Sequence, residues 1–186
     1  MELVEGIITA VAGLIGAVIG AGASVWSQSK DRNARWERDV NGLRMALSAE
    51  ISSYLSLIEK RGQIEYLEGI AKANEEAAML ANFPKNKILP KSWISGFEKA
   101  NDPFPVFRSS LDKLGTLGVF CNDVGKFYSQ ASAIRITLIA VDEGTYDTAT
   151  PSDLAKIIRS ELALWAETEA FGWRLARQLK EAATFK

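Results

Sequence analysis

The stretch FCNDVGKFYSQASAIRITLIAV, residues 120–141, carries the clearest helical pattern in this chain. Its apolar residues alternate steps of four and three, a spacing that places them on one side of an α-helix. β-branched residues in the second half would also suit a strand, but the helical spacing continues through them unbroken. We therefore predict one long helix. The seven apolar positions are Phe120, Val124, Phe127, Ala131, Ile134, Leu138 and Val141.

Similar apolar spacing occurs on both sides of this stretch. It predicts helices at residues 31–61 and 63–80, although the sequence leaves open whether Gly62 separates two helices or lies inside one. A final helix is expected to begin at Thr150-Pro151 and to run to about residue 182, because threonine caps helices and proline fits their first position. The chain is therefore predicted to be all-α, with residues 30–186 forming an antiparallel bundle of three to five helices whose aromatic residues pack in the core.

Four of the five prolines lie between these helices, within residues 83–105. Proline disrupts helix interiors, so we predict a loop here with one helical turn at residues 93–99. The loop carries Lys85, Lys87 and Lys91, which fit either solvated side chains or contacts with anionic groups. After Pro105 a further helix is predicted to carry Phe107, Leu111 and Leu114. Its glycine-capped end and a tight turn are expected in Leu114-Gly115-Thr116-Leu117-Gly118.

The N-terminal segment GIITAVAGLIGAVIGAGASVW, residues 6–26, is apolar or small at almost every position. About 20 such residues cover the roughly 30 Å hydrocarbon core of a bilayer. We predict that residues 1–29 form a transmembrane anchor. A cleaved signal peptide is one alternative. Signal peptides carry positive charge before their apolar stretch, whereas this chain has Glu2 and Glu5 there. A buried core helix is the other, although such helices are usually shorter.

Charges beside this segment predict its orientation. Five cations, Lys30, Arg32, Arg35, Arg38 and Arg44, follow it, and no lysine or arginine precedes it. The positive-inside rule therefore predicts a single-pass protein of the inner membrane with its N-terminus outside and its C-terminal domain in the cytoplasm.

Small residues recur every fourth position along the predicted anchor, at Ala12, Gly16, Gly20 and Ser24. Such a stripe lets two helices approach closely in lipid, so it is a candidate face for homo-oligomer formation. Glycine and alanine are also common in membrane helices that do not associate, and the sequence leaves both interpretations open.

Composition excludes several kinds of active site. The chain contains no histidine and only one cysteine, Cys121, so histidine-based catalytic triads, histidine-containing zinc sites and intrachain disulfides cannot form. Glu50 and Glu161 fall near apolar helix faces, where a buried carboxylate pair is conceivable. Ion pairs with arginines such as Arg135 or Arg174 are the interpretation we favour. We predict no catalytic, cofactor-binding or metal-binding residues.

Net charge bears on the partners. The 22 lysines and arginines nearly balance 23 aspartates and glutamates, which disfavours a nucleic-acid binder. Apart from the lipid bilayer and a second copy of the chain, the expected partner is a cytoplasmic protein that the sequence does not identify. No cofactor is expected.

One part of the sequence resembles a known group of proteins. Pro105-Val106-Phe107, Leu111, Leu114-Gly115-Thr116-Leu117, Val124 and Phe127-Tyr128 follow one another as in uncharacterised bacterial single-pass membrane proteins with an N-terminal anchor and a helical cytoplasmic domain. The resemblance implies that architecture and a bacterial or phage origin, and it implies no activity.

These observations suggest two functions. The first is a non-enzymatic, membrane-anchored interaction or signalling module. The second is a membrane-acting effector of the phage or defence type, which would assemble through its small-residue face. A single span without a polar stripe is a poor pore lining, so the first hypothesis is preferred.

Overall fold

A computed structural model of the chain describes residues 2–79 and 102–184, and of residues 2–28 and Asp142 it describes the backbone alone. Every regular element within these ranges is helical, which confirms the all-α prediction for this part of the chain. In chain order the elements are α1 (Glu2–Lys60), α2 (Gln63–Met79), α3 (Pro105–Ser109), a 3₁₀ segment (Leu111–Phe120), α4 (Cys121–Asp142) and α5 (Pro151–Thr184).

The chain divides into two compact units, Met1–Gly42 and Leu43–Lys186. In the first unit, α1 is continuous and the side chains of residues 30–39 are exposed. Trp36, which we expected to pack in a core, is 56% exposed. The rest of the fold concerns the second unit.

Across the described residues, no helix combines the length and the apolar character needed to cross a membrane. The predicted span at residues 6–26, with its stripe of Ala12, Gly16, Gly20 and Ser24, falls where the side chains lie outside the described residues. The predicted turn at residues 93–99 and the three lysines of the proline-rich loop also lie outside them.

Helix α5 is the central helix of the second unit. On one side, Arg44 Nη1 donates a hydrogen bond to the carbonyl oxygen of Ala182, and one turn later Ser48 Oγ donates to that of Ala176 at 2.7 Å. The contacts pair increasing residue numbers on α1 with decreasing residue numbers on α5, so these two helices are antiparallel. Helices α2 and α4 also pack against α5, and together they form the bundle.

The predicted apolar stripe of α4 faces the core. Six of its seven residues, all except the partly buried Phe120, are buried. The start of α5 is also as predicted, because the backbone N–H of Asp153 donates to Thr150 Oγ1 at 3.2 Å and Pro151 is the first helical residue. Gly62, with φ of 59°, separates α1 from α2.

The segment after Pro105 is helical as predicted, but it is not one α-helix. Helix α3 has only five residues and a 3₁₀ segment follows it, and within the predicted Leu114–Gly118 end the residue with positive φ is Gly118. The Ser110 hydroxyl donates to the carbonyl oxygen of Val106 at 2.7 Å. The Ser110 N–H donates to the carbonyl oxygen of Phe107 at 3.1 Å. Side-chain hydrogen bonds of this kind compete with the α-helical pattern, and the chain tightens here into 3₁₀ geometry.

Candidate functional site

A cavity of about 660 Å³ lies in the second unit. Its walls come from α1, α2, α4, α5 and the chain around the start of α3, and its lining is mainly apolar. Ligand pockets typically measure roughly 300–1,000 Å³ and combine an apolar lining with a few polar groups. The polar and charged side chains at its lining include Glu50, Tyr54, Arg61, Asp102, Arg135, Glu161 and Trp165.

The α1 wall of the cavity holds a carboxylate whose two oxygens both accept hydrogen bonds. Glu50 Oε1 accepts from the backbone N–H of Val106 at 2.7 Å, and Oε2 accepts from that of Phe107 at 3.1 Å. These N–H groups belong to the first turn of α3, where no helical partner exists. Pro105, the first residue of α3, has no N–H that needs a partner. Glu50 accepts from the next two backbone N–H groups of this turn.

The hydroxyl of Tyr128 adds a third hydrogen bond, donated to Glu50 Oε2 at 2.7 Å. Its ring stacks on Phe107 with centroids 4.0 Å apart and contacts Phe104 edge-on. Burial, together with the Glu50 carboxylate, raises the pKa of Tyr128 far above its ordinary value. Tyr128 therefore remains a protonated donor that holds Glu50 in place.

The α5 wall differs, because two of its buried polar atoms are unsatisfied. Trp165 is only 4% exposed, and neither its Nε1 nor Glu161 Oε2 has a hydrogen-bond partner in the part of the chain that the structure describes. Burial raises the pKa of the Glu161 carboxyl, and a hydrogen bond with Thr137 opposes that rise. Buried polar groups are nearly always paired, so these two atoms are exceptions that reduce the stability of the α5 wall.

Tyr54 connects the two walls. Its ring meets Phe104 edge-on at 4.8 Å and Trp165 edge-on at 6.0 Å between centroids. Burial raises the pKa of Tyr54 to about 12, although the nearby Arg135 guanidinium opposes the rise. At neutral pH this phenol is uncharged, which suits a ligand site better than a proton-transfer site.

The structure brings together both carboxylates that the sequence singled out, since Glu50 and Glu161 line the same cavity. The hydrogen bonds of Glu50 to α3 and Tyr128 were not predicted. Arg135 lies at the same cavity, whereas Arg174, the other suggested ion-pair partner, lies over the Phe171 ring at 5.4 Å.

Trp165 is buried as predicted, but its unpartnered N–H was not foreseen. Its four-residue spacing from Glu161 was the only signal in the sequence, because it places both on one face of α5. Among the residues that the structure describes, no cluster of three or more acidic or cysteine side chains could hold a metal ion.

The chain matches no family model, no curated protein and no solved structure. The geometry of the cavity is therefore the basis on which a function is proposed.

Proposed function

We propose that this chain is a membrane-anchored, non-enzymatic interaction or signalling module whose helical bundle binds a small molecule or a partner's side chains in the cavity of its second unit. The observation that carries the proposal is the cavity of about 660 Å³, whose size and mainly apolar lining are those of ligand pockets.

The membrane part of the proposal rests on the sequence. Residues 6–26 contain no charged residue and are long enough to span the hydrocarbon core. The cluster of cations that follows them supports an inner-membrane protein with its bundle in the cytoplasm. The resemblance to bacterial single-pass proteins points the same way.

A binding role fits the chemistry of the cavity better than catalysis does. Histidine, the commonest general base, is absent from the chain. Burial raises the pKa values of Tyr54 and Tyr128 well above neutrality, and both oxygens of Glu50 already accept hydrogen bonds from α3 and Tyr128. Neither phenol is poised to exchange a proton at neutral pH, and the Glu50 carboxylate is occupied in holding α3.

Membrane fractionation of a C-terminally tagged chain, followed by protease treatment of spheroplasts, tests the anchor and its orientation. We expect the tag in the membrane fraction and protected from protease. A soluble chain shortened near Ala23 would instead indicate a cleaved signal peptide, and an uncleaved soluble chain would refute the anchor.

Ligand binding is tested on the purified full chain with a simple neutral probe, methyl octanoate, observed by saturation-transfer NMR. Ala49 is exposed at the cavity lining, so Ala49→Trp is expected to obstruct the cavity and to abolish saturation transfer. Ala170 is also exposed on a helix but does not line the cavity, so Ala170→Trp is the matched control and should bind as the unaltered chain does. Equal signals from all three proteins would refute binding in the cavity.

A second candidate function is the membrane-acting effector, and the stripe of Ala12, Gly16, Gly20 and Ser24 favours it. This function requires self-association of the N-terminal helix. Replacing Gly16 and Gly20 by isoleucine is then expected to weaken association in a membrane-helix assay and to abolish any loss of membrane potential on overexpression. A membrane potential that overexpression of the unaltered chain leaves unchanged would exclude it.

A further inference from the structure

We infer that the cavity takes a single-chain amphiphile with an anionic head group, whose hydrocarbon chain lies against the apolar lining and whose head group lies at Arg61. A fatty-acid carboxylate and a lipid phosphate share this chemistry. The inference rests on the proposed function, because it assumes that the cavity is a binding site. It adds the chemical class of the ligand and the residue that selects it.

The apolar part of the ligand follows from the lining. Ile58, Ile64 and Val106 line the cavity and pack against the core, and they are half-buried, so part of each side chain stays accessible to water. A hydrocarbon chain placed against them removes this apolar surface from water. Pockets of this size hold drug-sized ligands, so a volume of about 660 Å³ is ample for a chain of eight carbons.

The position of the head group follows from the exposed residues of the lining. We call these residues the mouth of the cavity: Ala49, Ser53, Leu57, Arg61, Asp102 and Pro105. A head group at the mouth keeps its contact with water while the chain occupies the cavity. The binding of an ionised group therefore does not require its full desolvation.

Arg61 and Asp102 are the charged side chains of the mouth among the residues that the structure describes. Asp102 is neutralised by groups that do not line the cavity, because its Oδ2 pairs with Arg108 Nε and its Oδ1 accepts from the Phe104 N–H at 3.0 Å. A guanidinium has five N–H donors, so Arg61 can bind a ligand oxygen in addition to its other contacts. A head group at the mouth therefore meets a positive charge.

The other charged residues of the lining also favour an anion. Both oxygens of Glu50 accept hydrogen bonds from the protein, and burial raises the pKa of Glu161, which disfavours its ionised form. Arg135 lines the same cavity, and guanidinium groups stay charged in proteins. Arg61 and Arg135 therefore determine the charge preference, and an ammonium head group is disfavoured.

Four probes that share an eight-carbon chain test this inference: octanoate, octyl phosphate, methyl octanoate and octylammonium. Their affinities for the purified full chain are measured by saturation-transfer NMR, and Ala49→Trp reports the binding outside the cavity. Octanoate and octyl phosphate are each expected to bind about tenfold more tightly than methyl octanoate, because an ionised acceptor makes a stronger hydrogen bond to a guanidinium. Octylammonium should bind most weakly. The tighter of the two anionic probes identifies carboxylate or phosphate as the preferred head group, and either order supports the inference.

Variants of Arg61 separate charge recognition from packing. Arg61→Gln should weaken octanoate about tenfold and leave the affinity for methyl octanoate unchanged, which shows that the cavity is intact. Arg177→Gln removes the same charge from an exposed position of α5 that does not line the cavity, so it is the matched control and should bind octanoate as the unaltered chain does. Arg61→Glu should reverse the preference, so that octylammonium binds more tightly than octanoate. Thermal unfolding checks that each variant is folded.

The outcomes distinguish the two proposals. If methyl octanoate binds in the cavity and neither anionic probe binds more tightly, the anionic class is wrong and the binding function stands. Equal weakening of octanoate by Arg61→Gln and Arg177→Gln, or tighter binding of octylammonium than of octanoate to the unaltered chain, also overturns the inference. If no probe binds the unaltered chain more tightly than Ala49→Trp, the binding function itself fails.

Discussion

The carboxylates on the two walls of the cavity differ in their hydrogen bonding. On the α1 wall, Glu50 accepts three hydrogen bonds, from the backbone of α3 and from Tyr128. On the α5 wall, one buried oxygen of Glu161 and the Trp165 N–H have no hydrogen-bond partner among the described residues. A satisfied buried network holds a fold together, whereas an unsatisfied one reduces its stability. The α1 wall therefore stabilises the fold, whereas the unpartnered atoms of the α5 wall reduce its stability.

The largest expected effect comes from breaking the α1 wall. Glu50→Ala leaves the N–H groups of Val106 and Phe107 and the hydroxyl of Tyr128 without their shared acceptor. We expect a loss of about 3 kcal/mol, or roughly 6–12 °C in Tm, measured by circular dichroism. Glu59→Ala, an exposed glutamate on the same helix, is the control and should change Tm little. Equal effects of the two substitutions would show that the Glu50 network does not stabilise the fold.

A second prediction tests how tightly α5 packs away from the cavity. A Cβ at Gly172 would lie 2.5 Å from Phe127 Cε2 and 3.0 Å from Leu55 Cδ1, so Gly172→Ala should overpack the core. This clash is expected to outweigh the gain in helix propensity and to cost about 1–2 kcal/mol, measured by urea denaturation.

Gly69→Ala is the matched control, since it lies inside α2 and a Cβ there would meet nothing within 4 Å. It should stabilise the protein by about 0.5–1 kcal/mol. Stabilisation by both substitutions would mean that α5 is loosely packed along its whole length and would remove the contrast with its cavity-facing part.

The third prediction concerns pH and the α5 wall. Burial raises the folded-state pKa of Glu161, so the stability linked to its neutral form is present at acid pH and is lost as pH rises through that pKa. Glu161→Gln removes this loss. Its Tm should equal that of the unaltered chain near pH 4 and exceed it by about 1–3 °C near pH 8.

Glu181→Gln, at an exposed position of the same helix, is the control and should show no such pH dependence. A Glu161→Gln protein that is less stable near pH 8 would mean that the ionised carboxylate is needed by the fold. Glu161 would then belong with Glu50 as a structural group.

The smallest effect is expected at an ion pair outside both walls. Arg159 contacts Glu75 at 2.8 and 3.1 Å on the exposed surface and holds the pKa of Glu75 below its usual value. Any stability from this pair is lost as pH falls through that lowered pKa. Exposed pairs contribute little, so Glu75→Gln in physiological salt should leave Tm within about 1 °C. A larger change would indicate that surface pairs rival the buried network.

Sequence patterns predicted those features that depend on neighbours within one helix. The apolar stripe of α4 and the Thr150-Pro151 start of α5 are of this kind, and both are confirmed. The prediction of a regular α-helix failed between Pro105 and Gly118, where the Ser110 hydroxyl competes for the carbonyl oxygen of Val106, because spacing rules do not include that competition.

The cavity could not be predicted for a different reason. It arises where four helices leave a gap, and the gap depends on interhelical distances that no single helix encodes. The sequence singled out Glu50 and Glu161 as carboxylates near apolar faces. Which of the two would find donors depended on Val106 and Phe107, more than fifty residues away from Glu50.

That separation has a consequence for the order of folding. A five-residue helix is far too short to persist alone, because nucleating its first turn costs more than its few hydrogen bonds return. The acceptor for its leading amides comes from Glu50, 56 residues before Val106. Helix α3 therefore forms only after distant parts of the chain have met, and solvent exchange of the Val106 and Phe107 amides reports on the assembly of the bundle.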